Sequence, residues 1–204
     1  MFDLRHRINR ILIKLSYRLG ISRLLSMPKK LAIDPTNHCD LKCPLCPTGL
    51  GDKTVSRGLM KLDEFKPVIN YLGKWLQSVD MYSWGEPLLN KSFVEMIRHS
   101  ATEHNIRTIT SLHLNNLSDE QVKGFVTSGL DKLIVSVDGA TQEVYEQYRV
   151  EGNIEKVNLC LGRNWSLKGT VVPGDKRASK MDFPTANIVP GNAYPHEAIK
   201  IKTL

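Results

Sequence analysis

Three of the chain's four cysteines fall in one short run, Cys39-Asp-Leu-Lys-Cys43-Pro-Leu-Cys46, and the fourth, Cys160, is remote. A secreted disulfide scaffold spreads its cysteines along the chain. Clustered cysteines in a reducing compartment more often hold metal. Thiolates are the ligands of iron–sulfur clusters, and three of them leave one iron of a four-iron, four-sulfur cluster (4Fe-4S) without a protein ligand. Such an open metal position accepts a substrate or cofactor. Zinc is the alternative. It usually takes four ligands, often as paired Cys-x-x-Cys knuckles, and His38 is badly placed beside Cys39 to complete the set. Ligand number and the loop's place after a strand favour the cluster over zinc.

Further along, Glu86 sits in Trp84-Gly85-Glu86-Pro87, and Ser136 precedes Val137-Asp138-Gly139. Each has a plain structural reading beside a functional one. Glu86 fits a helix-start carboxylate near Lys91, Arg149 one solvated charge on a helix face, and Ser136 a hydroxyl bonded to backbone inside a buried run. His113, Asn115 and Asn116 follow a β-rich stretch and are read as cavity-facing or as turn residues.

The elements that must position these residues alternate. Strands are expected over 31–34, 78–83, 106–111 and 132–137, with helices over 61–76, 91–104, 118–128 and 141–149. Ser118 and Gln121 carry the capping-box pattern that opens a helix. Successive strand–helix units argue for a parallel sheet with right-handed crossovers. In such sheets ligands gather at the carboxyl ends of the strands. The cysteine run, Gly85-Glu86 and the end of the 132–137 strand all fall there.

At 41% hydrophobic and 24% charged residues, the composition is that of an ordinary globular protein, with no apolar run long enough for a membrane span and no export signal, so a cytoplasmic location is expected. The formal charge of +7 resides in residues 1–30, where eight basic residues face Asp3 alone. Residues 4–19 place Leu4, Ile8, Ile11, Leu12, Leu15 and Leu19 at helical spacing among those charges. This basic amphipathic helix is expected to pack its apolar stripe on the body of the domain, with peripheral docking on an anionic membrane as the alternative. Nucleic-acid binding is not expected, since neither interleaved aromatics nor a recognisable motif is present.

The run Asn37-His-Cys39-Asp-Leu-Lys-Cys43-Pro-Leu-Cys46 resembles the cluster loop of the radical SAM superfamily. Leu45 matches the position that lies against the adenine of S-adenosylmethionine (SAM). Trp84-Gly85-Glu86-Pro87 resembles the family's Gly-Gly-Glu motif, which receives the SAM amino group, with Trp84 in place of the first glycine. Ser136-Val-Asp138-Gly139 resembles the fourth-strand motif. Ser136 and Arg149 match positions that hold the SAM ribose or carboxylate. The resemblance covers about residues 31–157. It implies an α/β fold, a partial parallel (β/α) barrel, here truncated at four strands against the family's usual six. It implies a cluster on Cys39, Cys43 and Cys46, SAM beside it, generation of a 5′-deoxyadenosyl radical, and a small electron donor such as flavodoxin or ferredoxin.

After about residue 158 the pattern changes to a Gly- and Pro-rich stretch in which Ser166–Val172 is expected to form a strand, a candidate to pair on the edge of the 132–137 strand. Residues 161–190 resemble the start of the riboflavin kinase domain of bacterial flavokinase/FAD synthetases. Thr185 and Asn187 match that family's Mg²⁺-ATP positions, whereas Pro173, Ala178 and Asp182 depart from its pattern. The chain is thus expected to divide into a basic helix (1–30), an incomplete radical SAM-like core (31–158) and an incomplete riboflavin kinase-like fragment (159–204). Joined in this way, two incomplete domains read as a chimera.

Overall fold

In the computed structural model, residues 4–22, 24–164 and 199–200 are described. Helix α1 (Leu4–Arg18) leads into β1 (Lys30–Ala32), α2 (Leu62–Leu72), β2 (Ser78–Asp80), α3 (Phe93–Arg98), β3 (Arg107–Leu112), α4 (Asp119–Thr127), β4 (Lys132–Val135), α5 (Gln142–Tyr148), α6 (Ile154–Asn164) and β5 (Ile199–Lys200). The sheet order is β1-β2-β3-β4-β5. The first four strands pair in parallel in sequence order, as the alternation predicts, and β5 joins β4 antiparallel.

The expected strands over 78–83 and 132–137 end sooner, at Asp80 and Val135. Ladder bonds continue one residue further, with Met81 N–H donating to Ile109 O (2.8 Å) and Ser136 N–H to Leu112 O (2.9 Å). The chain then turns outward, and those turns carry the site. The expected helix over 91–104 also divides. Its second half, His99–Glu103, is a π-turn. Ser100 Oγ bonds back to Met96 O and Thr102 Oγ1 to Arg98 O, side-chain bonds that deform a helix.

Helices on the sheet bury Phe65, Ile69, Phe93, Met96, Ile97 and Phe125 against Val79, Met81, Leu112 and Val135. Each such side chain contributes about 1.5–3 kcal/mol. The Ser118–Gln121 capping box is present in both directions. Helix α6 was not foreseen. Asn153 Oδ1 caps it by accepting Lys156 N–H (3.0 Å), and Ile154 and Val157 enter the core.

Two expectations are corrected or displaced. The apolar stripe of α1 does not pack on the domain: Leu4, Ile8, Ile11 and Leu15 are 49–66% exposed, and the buried residues of the helix are Asn9 and Ser16. The helix is held by its polar face, with Asn9 exchanging two bonds with the Met27 backbone (2.8 and 2.9 Å) and Arg5 lying over the Trp75 ring. The segment 166–172 lies outside the described residues, and it is β5 that lies along β4. Among the described residues no helix is long and apolar enough to cross a membrane.

Candidate functional site

The cysteine loop leaves β1 through Pro35 and Thr36 and is held by the segment that follows it. Thr36 Oγ1 donates to Gly58 O (2.9 Å), Asn37 Nδ2 to Ser56 O (2.8 Å), and Gly58 N–H to Asn37 Oδ1 (2.7 Å). Arg57 is the hub of this frame. Its Nη1 donates to Asn37 O (3.0 Å) and Thr48 Oγ1 (2.8 Å), and its Nη2 faces the carbonyls of Pro47, Thr48 and Asp52 at 3.4 Å. Leu41 is buried beneath the loop, and Lys42 N–H donates to Val150 O (3.0 Å), tying the loop to the end of α5.

Cys39 and Cys46 are half-buried, Cys43 is buried, and none is in a disulfide. Together with Gly85, Glu86, Ser136 and Arg149 they line one cavity of about 280 Å³ at the carboxyl ends of β1–β4. Burial pushes the Cys43 thiol up, and the Arg149 guanidinium, with Nη1 3.7 Å from Cys43 Sγ, opposes that shift. Arg149 is itself oriented by an ion pair with Asp138.

Gly85 belongs where it is because a Cβ there would lie 2.0 Å from Thr36 O. This close approach lets Glu86 N–H reach His38 O (2.8 Å) and fastens the turn after β2 to the cysteine loop. Glu86 is 3% exposed, and its carboxylate accepts N–H bonds from Leu88 (3.3 Å) and His113 (3.1 Å).

The sequence-predicted residues therefore converge. Cys39, Cys43, Cys46, Leu45, Gly85, Glu86, Ser136 and Arg149 all line this cavity. Leu45 is its exposed rim, and Ser136 Oγ lies 3.0 Å from Ser111 Oγ. Two further residues contribute. Of the two readings the sequence offers for His113, cavity-facing or turn, the structure takes the first: it is buried in the cavity wall beside Asp40. Arg57 carries no sequence signal beyond being an arginine eleven residues past Cys46. It also borders a wider cavity of about 670 Å³ that shares Trp84 with the first. Thr185 and Asn187, the Mg²⁺-ATP expectation, lie outside the described residues.

The donor set fits a multi-iron cluster better than a single ion. One zinc ion would draw three sulfurs to within about 4 Å of each other. Among the described residues, the groups whose ligand atoms lie within 4.8 Å of one another are Cys39–Asp40–His113 and His99–Glu103–His104, not the cysteine triad. Three unbridged thiols around an open cavity, with a cation beside the most buried one, suit thiolate ligation of a larger group.

Comparison with known proteins agrees with this geometry. The model of the radical SAM superfamily matches residues 33–161, and that of riboflavin kinase matches residues 161–200. The AdoMet-dependent heme synthase of Methanosarcina barkeri is 28% identical over 126 residues, covering 62% of this chain and 36% of that protein. The chain thus spans about a third of the length of that relative. The bifunctional riboflavin kinase/FMN adenylyltransferase of Bacillus subtilis is 44% identical over 43 residues, 21% of this chain and 14% of that one. Among solved structures, SuiB of Streptococcus suis bound to S-adenosylmethionine superposes with a TM-score of 0.56 at 18% identity, covering 74% of this chain and 35% of SuiB. At that identity the likeness speaks for the fold. Since the matched family model spans more than half of the chain, including every residue that lines the cysteine cavity, the chain belongs to the radical SAM superfamily.

Proposed function

We propose that this chain holds a 4Fe-4S cluster on Cys39, Cys43 and Cys46 and binds SAM beside it in the same cavity. The observation that carries this reading is the gathering of three unbridged thiols, Gly85, Ser136 and Arg149 around one space at the strand carboxyl ends. With both bound, the chemistry supplied is reductive cleavage of the SAM sulfonium C–S bond to a 5′-deoxyadenosyl radical. Arg149 keeps positive charge beside Cys43 and favours its thiolate. The Glu86 carboxylate accepts two backbone N–H groups and keeps further acceptor capacity, so it and the backbone carbonyls of the Trp84–Gly85 turn are the acceptors offered to the SAM amino group. Leu45 offers an apolar rim for adenine, and Ser136 a hydroxyl for ribose or carboxylate. Reduction draws on a small electron donor such as a flavodoxin or ferredoxin.

The test is anaerobic reconstitution with iron and sulfide, followed by reduction in the presence of SAM. A brown, oxygen-sensitive protein that releases 5′-deoxyadenosine is expected. Protein that takes up no iron, or that binds iron and leaves SAM intact, would end the reading.

A second proposal concerns α1. Its outward apolar stripe and the positive charge of residues 1–30 support peripheral docking on an anionic membrane surface.

A further inference from the structure

We infer that His99, Glu103 and His104 form a second metal site, for zinc, at the junction of α2 and the π-turn. One ligand atom from each of the three lies within 4.8 Å of the others. The backbone explains how. A π-turn closes residue i onto i+5, so residues 103 and 104 both return beneath residue 99. In an ordinary α-helix the residue at i+5 would turn away from that face.

The imidazoles are arranged as metal ligands are. Nε2 of His99 and Nε2 of His104 lie 2.9 and 2.8 Å from the same atom, Asn70 Oδ1 on α2. An amide oxygen only accepts, so both Nε2 atoms carry their protons, and in each neutral ring the lone pair sits on Nδ1. Ligating histidines commonly donate the opposite N–H to a carbonyl in this way, which fixes tautomer and ring orientation.

Two independent observations point to an occupant. His99 is 4% exposed, and its Nδ1 is a buried atom with no hydrogen-bond partner, although Glu103 Oε2 stands 2.8 Å away. Facing lone pairs at that distance repel unless a proton or a metal cation lies between them, and Nδ1 makes no aligned hydrogen bond. A Cβ at residue 73 would fall 2.8 Å from His104 Nδ1, and residue 73 is glycine, which leaves the ground beside that nitrogen open. Two imidazoles and one carboxylate suit zinc, with the remaining position open to water on the exposed Glu103 side. The ion would pin the turn that feeds β3, with Asn70 of α2 holding both rings in place.

The test uses the full chain with its cysteines filled by the reconstituted cluster, or substituted as C39S/C43S/C46S. Zinc retained after gel filtration is counted per chain, and its shell is read by X-ray absorption at the zinc edge. One zinc in a nitrogen and oxygen shell is expected. It should be lost in His104→Gln and bound about tenfold or more weakly in Asn70→Ala, with iron content unchanged in both. Sulfur in the zinc shell, equal retention by wild type and His104→Gln, or no retained zinc would overturn the assignment.

Discussion

His113 Nε2 stands 2.8 Å from Asp40 Oδ1, so the residue that follows β3 is joined to the residue that follows the first cysteine. The same side chain lies 3.1 Å from Glu86 Oε2, the buried carboxylate after β2. Three strand ends are thereby tied together behind the cysteine loop. Burial works against charge on the ring, but the bonds to Asp40 and Cys39 and the Glu86 carboxylate outweigh it, and the His113 pKa is pushed up to about 10. Asp40, bonded to that imidazolium, is held below the usual carboxylate range. Burial pushes Glu86 up, and His113 is its main counterweight.

Removing the imidazole leaves Glu86 buried without its counter-charge. His113→Ala is expected to cost about 3–5 kcal/mol of stability. His113→Gln should cost less, because an amide N–H can still bond to Asp40. Urea unfolding of the cluster-free chain, followed by circular dichroism, measures both. Equal stability of wild type and His113→Ala would show that the triad does not hold the strand ends.

Arg57 bonds to the loop on both sides of the cysteines through a planar fork of donors. A lysine there keeps the charge and loses the fork. Arg57→Lys is expected to keep its secondary structure while iron retained per chain after reconstitution falls by about half or more. Iron and labile sulfide analysis beside circular dichroism separates this from unfolding, and unchanged iron content would remove Arg57 from the frame.

Much of this arrangement was legible in the residues themselves. The apolar run within 132–137 marks a parallel strand because such strands are buried on both faces, whereas 78–83, with Asp80 inside it, is placed by the alternation of strands and helices. Cys39, Cys43 and Cys46 stood out by their clustering and Gly85 and Ser136 by the family resemblance, and their convergence was legible because strand ends are where a parallel sheet exposes its loops. Arg57 was not legible, nor were the partners of His113, since both roles depend on residues such as Asn37 and Glu86 that the fold alone brings near. The stripe of α1 faces outward, against the expectation from its spacing, for a related reason. Spacing shows that an apolar face exists, but the Asn9–Met27 bonds decide which face turns inward. The π-turn at His99 escaped because Ser100 and Thr102 are ordinary helix residues until their hydroxyls bond back to the chain.

Gly85 and Gly58 make a matched pair for testing the close approach of the two loops. A Cβ at Gly85 meets Thr36 O at 2.0 Å, whereas one at Gly58 meets nothing within 4 Å. Backbone cannot yield as a side-chain tip can, so Gly85→Ala is expected to cost about 1–3 kcal/mol or more and to lower iron retention. Gly58→Ala should be close to neutral. Similar melting temperatures for the two variants would contradict the contact.

Tyr145 is fully buried, and its hydroxyl accepts a bond from Asn115 Nδ2 (2.9 Å). Burial pushes its pKa above the usual tyrosine value. Above about pH 10 the unfolded chain therefore gives up this proton while the folded chain keeps it. Stability from this group is whole below about pH 10 and declines as pH rises towards the folded pKa. Relative to Tyr145→Phe, the wild type is expected to lose stability as pH rises above about 10. Parallel pH dependences for the two proteins would show that the hydroxyl is not shielded.

The exposed stripe of α1 makes the last prediction. Leu4, Ile8, Ile11 and Leu15 face outward from a helix whose segment, residues 1–30, carries eight basic residues against one acidic one. Apolar burial in the headgroup region and attraction to anionic lipid should act together. The full chain is expected to sediment with phosphatidylserine-rich vesicles and not with neutral phosphatidylcholine vesicles, and to be released by high salt. Replacing Ile8, Ile11 and Leu15 with serine keeps the charge and should weaken binding by about tenfold or more. Binding that survives deletion of residues 1–26 would place the contact elsewhere, and binding insensitive to the serine substitutions would leave charge alone as its cause.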